Sequence, residues 1–331
     1  MPAVPTGVRG AVISGWGTAL PERVVTNHEL EQTMDTSDSW IVERTGIRER
    51  HVGGSTVGLS VESGRRALEM SGVDPADIDI LVLATTTPDR AVPASASSVQ
   101  RELGLSCGAF DLNAACSGWV YGLVAAHGFI GLGAEKILLI GTDTLARITD
   151  WTDRNTAILF ADGSGAAVIE AVDGPGQLLG WDLDSDGSAE DALYCEVGGV
   201  LQMEGKEVFR RAVRIMVESA TASMAQAGVT ADDIALVVPH QANIRIISAS
   251  CDRLGIGIDR ASVVLDHTGN TSAASIPLAL AEALDAGRVT DGDLILFVGF
   301  GAGMTSASAV VRWNQRAHEH RPHEQPGSTT A

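Results

Sequence analysis

Three residues have the types and settings for nucleophilic catalysis: Cys116 in FDLNAACSGWVYG, His240 in PHQANIRI and Asn270 in HTGNTSAAS. Cys116 follows a short apolar run, Ala109–Leu112, and opens the helical stretch SGWVYGLVAAHGFIGLG. A thiol at a helix N-terminus lies near unpaired backbone N–H groups and the positive end of the helix dipole, and both lower its pKa and favour thiolate. Ala114, Ala115 and Gly118 keep the surroundings small enough for a substrate to reach the sulfur. A buried structural cysteine is the competing reading, and position alone does not choose between them. Cys107, Cys195 and Cys251 lack the strand–cysteine–helix setting and read as structural.

A thiolate nucleophile needs an acid/base partner and donors for an oxyanion. His240 ends the apolar run Ile234–Val238. Ligands of open parallel sheets gather at the carboxyl ends of strands, so His240 is placed to face Cys116. Asn270 falls almost at the position that repeats Cys116, at the start of the matching helix; a helix cap is the ordinary reading there, and the relation to Cys116 favours function. His267 reads as a structural hydrogen-bonder in the loop before that helix. GFGAG (299–303) superficially resembles a dinucleotide loop, but that fingerprint needs a following helix and a downstream acid. MTSASAVVRW reads as another strand, so the glycines serve instead to let backbone approach a ligand and offer an N–H to an oxyanion. There is no CxxC pair, no Cys/His metal spacing, no P-loop and no GxSxG, and no metal is expected.

The elements that position these residues come twice. GVDPADIDILVLA (72–84) repeats as GVTADDIALVVPH (228–240), AEKILLIGTD (134–143) as DGDLILFVGFG (291–301), and FDLNAACSG (110–118) as LDHTGNTSA (265–273). All three pairs keep their order at an offset close to 156 residues, which chance does not produce. Each gives a short apolar strand that ends at Gly, Asp or His, alternating with amphipathic helices such as Val61–Met70 and Val208–Met224. The expected architecture is α/β: two βα-rich halves, 10–172 and 173–315, related by a pseudo-twofold axis, with mainly parallel sheets covered by helices. The Pro/His/Gly-rich remainder, 316–331, reads as a disordered tail.

The 331 residues carry a formal charge of −19. A general nucleic-acid binder needs a basic field, so that class is disfavoured. No apolar stretch reaches the roughly 18 to 20 residues that span a bilayer, and the stretch MPAVPTGVRGAVISGWG does not read as a secretion signal. Four unpaired cysteines in a chain of this length suit a reducing cytosol, so a cytoplasmic location is expected.

At these residues the sequence closely resembles the β-ketoacyl-acyl-carrier-protein synthase III family, the initiating condensing enzymes of fatty-acid synthesis. The likeness covers about residues 10–313, through TSDSWIVERTGIRERH (36–51), FDLNAACSGWVYG (110–122), DRNTAILFADGSGAAV (153–168), EGKEVF (204–209), PHQANIRIIS (239–248), HTGNTSAASIP (267–277) and GFGAG (299–303). The resemblance implies a thiolase-like fold, layered αβαβα, and a Cys116–His240–Asn270 triad. Cys116 would take an acyl group from acyl-CoA; malonyl on acyl carrier protein would then lose CO₂ and attack the thioester, giving 3-oxoacyl-carrier protein with no further cofactor. It implies backbone donors at Cys116 and Ala302, a pocket phenylalanine at Phe300, a CoA site at Trp40, Arg44, Arg154 and Asn243, and a homodimer. Arg210, Arg211, Arg214, Arg245 and Arg253 are the basic cluster expected to receive the acidic carrier, with an ordinary solvated face as the alternative.

Two departures from the family pattern bear on specificity. Val92 stands where acetyl-preferring relatives have a bulky aromatic supplied across subunits, so room for longer or branched primers is expected. The stretch Gly187–Leu201 is shorter than usual. A sister enzyme that loads or condenses a starter unit in polyketide or other specialised metabolism would use the same residues, and it is the alternative function. A non-catalytic carrier-binding scaffold would have lost the nucleophile or the base, and neither is lost.

Overall fold

The computed structural model describes residues 9–174 and 176–314, so the expected tail at 316–331 lies outside the described residues. A five-stranded sheet runs in the order β1 (Gly10–Ala19), β7 (Asp162–Val172), β6 (Lys136–Thr144), β4 (Ile80–Ala84) and β5 (Gly108–Leu112). A four-stranded sheet runs β11 (Ile234–Pro239), β12 (Leu294–Gly301), β13 (Thr305–Arg312) and β8 (Leu178–Asp184). Two small ribbons pair β2 (Val24–Thr26) with β3 (Glu49–His51) and β9 (Leu193–Tyr194) with β10 (Gln202–Met203).

The two large sheets share one plan. β4 and β11 run parallel to β6 and β12, while β7 and β13 return antiparallel beside them and are followed by β1 and β8. They are therefore mixed rather than mainly parallel. The cause is visible at β12 and β13, which are joined only by the turn Ala302–Met304, far too short for the crossover a parallel neighbour needs. The repeat also weakens at one place. β5 has no full counterpart, because Ala261 makes a single bridge to Val237 and Leu265–Thr268 coils into a helical turn. Asp266 therefore does not end a strand. The Gln241 side chain stands in for the missing ladder, donating to Pro239 O (2.7 Å) and Ser262 O (3.0 Å) and accepting from Val264 N (2.9 Å).

Alternation along the strands builds the layers. Val82 faces a central core shared by both sheets, while Leu81 and Leu83 face outward onto the helix Thr56–Ser71. The central core is filled by the helices Gly118–Gly131 and Ser275–Asp285, sandwiched between the sheets. The first is apolar on most of its faces, as a helix largely covered must be, with Gly128 and Gly131 exposed near its end. The helices Gly205–Ala227 and Ile244–Leu254 cover the outer face of the second sheet. The stack is thus helix, sheet, helix, sheet, helix, with the edge contact of Trp119 and Phe297 (5.3 Å between ring centres) pinning its middle.

Candidate active site

The site grows from two turns that mirror each other. The 3₁₀ turns Ala115–Ser117 and Ser272–Ala274 each precede a central helix. Each opens on a non-glycine residue held in the left-handed region, Ala115 at φ 49° and Ser272 at φ 52°. Such a conformation costs of order 1–3 kcal/mol and persists only where its surroundings impose it. An asparagine two residues earlier imposes it in both cases: Asn113 Oδ1 accepts the Ala115 N–H (3.2 Å) and Asn270 Oδ1 accepts the Ser272 N–H (3.0 Å). Asn270 therefore matches Asn113, not Cys116, and Cys116 matches Ala273.

Strand ends from the opposite half close on these turns. A side chain at Gly141 of β6 would meet Ala273 O at 2.4 Å, and one at Gly301 of β12 would meet Cys116 N at 2.6 Å. The equivalent amides are treated differently. Ala273 N donates to Asp143 Oδ2 (3.2 Å), the carboxylate two residues beyond Gly141. In the other half the residue two beyond Gly299 is Gly301, which has no side chain to claim the Cys116 amide. Thr305 completes the seat of the nucleophile, its Oγ1 donating to Ala114 O (3.1 Å).

Cys116 is buried, and burial is the main cause that pushes its thiol up to about 12; the Asp143 charge adds to it, while Ser272 and the residue's own amide oppose it. This reverses the expectation drawn from the helix end. The helix Gly118–Gly131 begins only after the intervening turn, and loss of water outweighs its dipole. Burial likewise drives His240 down to about 3, so the resting pair is a neutral thiol and a neutral imidazole.

His240 follows β11 and continues its ladder, donating its N–H to Val298 O (2.8 Å). Its Nδ1 lies 2.7 Å from Ser275 Oγ, which also accepts the Gln241 N–H (3.3 Å). A hydroxyl both donates and accepts, so Ser275 supports either tautomer of the ring. Phe300 packs against that ring edge-on, 5.4 Å between centres. The Asn270 main chain is gripped on both sides, its N–H by Leu159 O (2.9 Å) and its carbonyl by Ala161 N (2.9 Å). With Oδ1 bound to Ser272, the amide has its Nδ2 hydrogens left to offer.

Cys116, His240, Asn270 and Phe300 line one cavity of about 650 Å³, together with Trp40, Arg44, Asn243 and Arg245. Leu193, from within the 187–201 stretch, and Met203 and Phe209, from the strand and helix that follow it, also border it. Trp40 is flanked by two guanidinium groups, Arg154 at 4.7 Å and Arg44 at 5.2 Å from the ring centre. Arg154 itself is not among the lining residues. Asn243 caps the helix Ile244–Leu254 through Arg245 N (2.9 Å) and donates to Arg44 O (2.9 Å).

Other expected residues lie elsewhere. Val92 is 83% exposed and outside the cavity, and Ala302 sits half-buried in the turn after β12 without lining it. The five arginines are not five free charges. Arg210 and Arg211 both bind Glu207, whose carboxyl their hydrogen bonds hold down at about 2, and Arg211 also reaches Asp186 (3.2 Å). Arg245 stacks on Phe209 (5.5 Å), while Arg214 and Arg253 are exposed. His267 lies between Asp266 (2.9 Å) and Glu282 (3.0 Å), a surface bridge. Sequence reading missed Ser275, Asp143 and Thr305, whose partners lie too far along the chain to be read locally. Among the described residues no group of three or more His, Cys, Asp or Glu could hold a metal, and no helix is long and apolar enough to cross a membrane.

Comparison with known proteins places this geometry in a family. Residues 110–187 match the model of 3-oxoacyl-[acyl-carrier-protein] synthase III, and residues 224–313 match its C-terminal model. A β-ketoacyl-[acyl-carrier-protein] synthase III of Brucella suis is 47% identical over 320 residues, covering 92% of this chain and 99% of the relative. The crystal structure of 3-oxoacyl-[acyl-carrier-protein] synthase III from Aquifex aeolicus superposes with a TM-score of 0.90 at 40% identity, over 92% of this chain and all of the other. The priming β-ketosynthase of the R1128 polyketide pathway gives 0.88 at 36% identity, over 95% and 98%. The duplicated thiolase-like sheets and the likeness along nearly the whole chain lead to one conclusion: the chain belongs to the 3-oxoacyl-[acyl-carrier-protein] synthase III family.

Proposed function

We propose that this protein is a 3-oxoacyl-acyl-carrier-protein synthase III, an acyl-transferring condensing enzyme that initiates fatty-acid synthesis. The observation that carries the roles of its residues is the convergence of Cys116 from one half and His240 and Asn270 from the other on a single cavity. In the first half-reaction His240 Nε2 takes the thiol proton as sulfur attacks the acyl-CoA carbonyl, then gives it to the departing CoA sulfur. The ring meanwhile holds its other hydrogen on Nδ1, against Ser275. The oxyanion is met by the Cys116 amide, which Gly301 leaves uncovered, and by that of Ala302.

In the second half-reaction malonyl-carrier protein loses CO₂, and charge builds on its thioester oxygen. Asn270 Nδ2 and, in the other tautomer, His240 Nε2–H donate to that oxygen. The new carbanion attacks the Cys116 thioester and expels the Cys116 thiolate, giving 3-oxoacyl-carrier protein; the thiolate then takes up one proton from water to restore the resting thiol. Phe300 excludes water at the imidazole. The chemistry runs on the chain's own side chains, with acyl-CoA and malonyl-carrier protein as substrates.

The Trp40 stack with Arg44 and Arg154 supports a CoA subsite at the cavity mouth, for an adenine ring and phosphates, bordered by Asn243. Arg245, Arg214 and Arg253 are the better candidates to receive an acidic carrier, since Arg210 and Arg211 are tied to Glu207. The half-exposed edge strand β5, carrying Ala109, Phe110 and Leu112, supports a homodimer formed by strand pairing. Val92, exposed on one protomer, is then available to a second protomer's acyl pocket. Free thiols, an acidic chain and the lack of a spanning helix among the described residues favour the cytoplasm. The specialised-metabolism reading is not favoured, since the synthase III relatives of Brucella suis (47% identical) and Aquifex aeolicus (40%) are more similar in sequence than the polyketide-priming neighbour (36%).

The test is incubation with a series of acyl-CoAs, read by intact mass, with Cys116→Ala alongside. One acyl group per chain on the wild type and none on the variant is expected, loading fastest with primers longer than acetyl. Absence of loading overturns the acyl-CoA assignment, and exclusive acetyl loading overturns the role of Val92.

A further inference from the structure

Arg50 is fully buried on β3, yet among the described residues no carboxylate bonds it. Its guanidinium meets only neutral oxygens: Val25 O (3.1 Å), Asn27 Oδ1 with both Nη atoms (2.9 Å each) and Ile158 O (2.8 Å), while Nε has no partner. Asn27, itself buried, is locked in turn by donating to Asp38 Oδ1 and Ile47 O (2.9 Å each). A cation held this way is a poor source of stability, because desolvation opposes it and an apolar side chain of like size would serve the core better. The arrangement makes sense as a device for geometry.

What it fixes is the stretch that grips Asn270. Ile158, held by Arg50, directly precedes Leu159, whose carbonyl takes the Asn270 N–H; Ala161, two residues further on, takes the Asn270 carbonyl. From the other side the Arg50 main chain packs on Gly269, the residue before Asn270. A side chain at Gly269 would meet Arg50 Cβ and Ala161 Cβ at 2.8 Å, and Gly269 has φ 71°. Asn270 is thus clamped in front and behind by one residue. The seat of Cys116 is built by Gly301 and Thr305, and the Asn270 turn touches it through the Ser272 side chain.

We propose that Arg50 is a positioning residue that sets the reach of the Asn270 amide into the cavity, and thereby serves the decarboxylating half-reaction and not acyl transfer. This rests on the reading of Asn270 given above. The test compares Arg50→Met, Asn270→Ala and the double variant by two assays: intact-mass loading of Cys116 from acyl-CoA, and turnover with malonyl-carrier protein. Arg50→Met should load within about threefold of wild type and lose at least tenfold in condensation. The double variant should condense no more slowly than Asn270→Ala alone, as expected of two changes that remove one function. Asn27→Ser, which removes the shared acceptor and leaves the cation, should show the same split more weakly and serves if Arg50→Met does not fold. Equal loss of both half-reactions, or additive losses in the double variant, overturns the proposal. Full condensation by Arg50→Met beside an inactive Asn270→Ala overturns it alone; full condensation by Asn270→Ala overturns the underlying reading as well.

Discussion

Cys116 and His240 act together in the chemistry, and burial moves each away from its charged form: the thiol to about 12, the imidazole to about 3. The sign of both shifts is the same in effect, since each disfavours charge. Below about pH 10 the free protein therefore holds thiol, and charge separation waits for a bound thioester. Alkylation of Cys116 by a small electrophile should rise about tenfold per pH unit through pH 9 without levelling, because the thiolate fraction does. Peptide-resolved mass spectrometry checks this, with half-buried Cys195 as the internal reference. A plateau near neutrality would reveal a resting thiolate–imidazolium pair and defeat the argument. The identity of the three residues was legible in the sequence, from strand ends and small neighbours. Their charge state was not: a helix end is a local feature, whereas desolvation of Cys116 depends on β12 and the turn at Ser272, both more than 150 residues away.

At the scale of elements, the repeat made the strands β4, β6, β11 and β12 readable, together with their glycines, although β6 runs on past Gly141 to Thr144 and β12 past Gly299 to Gly301. It did not reveal the antiparallel returns β7 and β13, because apolar runs look alike in either direction. Nor did it give the register of the Asn270 turn, which lies two residues on from the pairing of 110–118 with 265–273, where a β5 counterpart is lost. The structural use of those glycines leads to a sharp expectation. In Gly301→Ala the new methyl would stand 2.6 Å from Cys116 N and 2.8 Å from Ala115 Cβ, so β12 must withdraw from the nucleophile. Acyl loading should fall roughly 100-fold, the order seen when an oxyanion donor is lost. Stability should fall by about 1–3 kcal/mol, as in overpacked cores. Single-turnover loading and urea melts measure the two, with Gly128→Ala, which meets open space, as the unaffected control. Loading at the wild-type rate would show that the strand end has no part in acyl transfer.

For the whole molecule, the layered stack buries every large sheet face but leaves β5 at an edge with its residues half-exposed. If two copies pair there across a twofold axis, residue i faces residue j and j faces i, which keeps a residue near the middle of β5 close to its own copy. Ala109→Glu would then set like charges close together, and sedimentation should shift from the mass of two chains to that of one. A wild-type protein already sedimenting as one chain would remove the dimer from the account. The edge was not legible in the sequence, since GAFDL reads no differently from a central strand.

The seat of Cys116 has a further consequence, in time. Ala114 and Thr305, which bond across it, are 191 residues apart in the chain. β12 must insert between β11 and β13 before Gly301 can reach the thiol's amide. On the ribosome the first half is therefore made with its sulfur uncovered, and only the last strands to emerge enclose it. Contacts of such sequence separation form slowly. The newborn chain passes through an interval in which its nucleophile is an ordinary exposed thiol, more open to oxidants than in the finished protein, where it is buried.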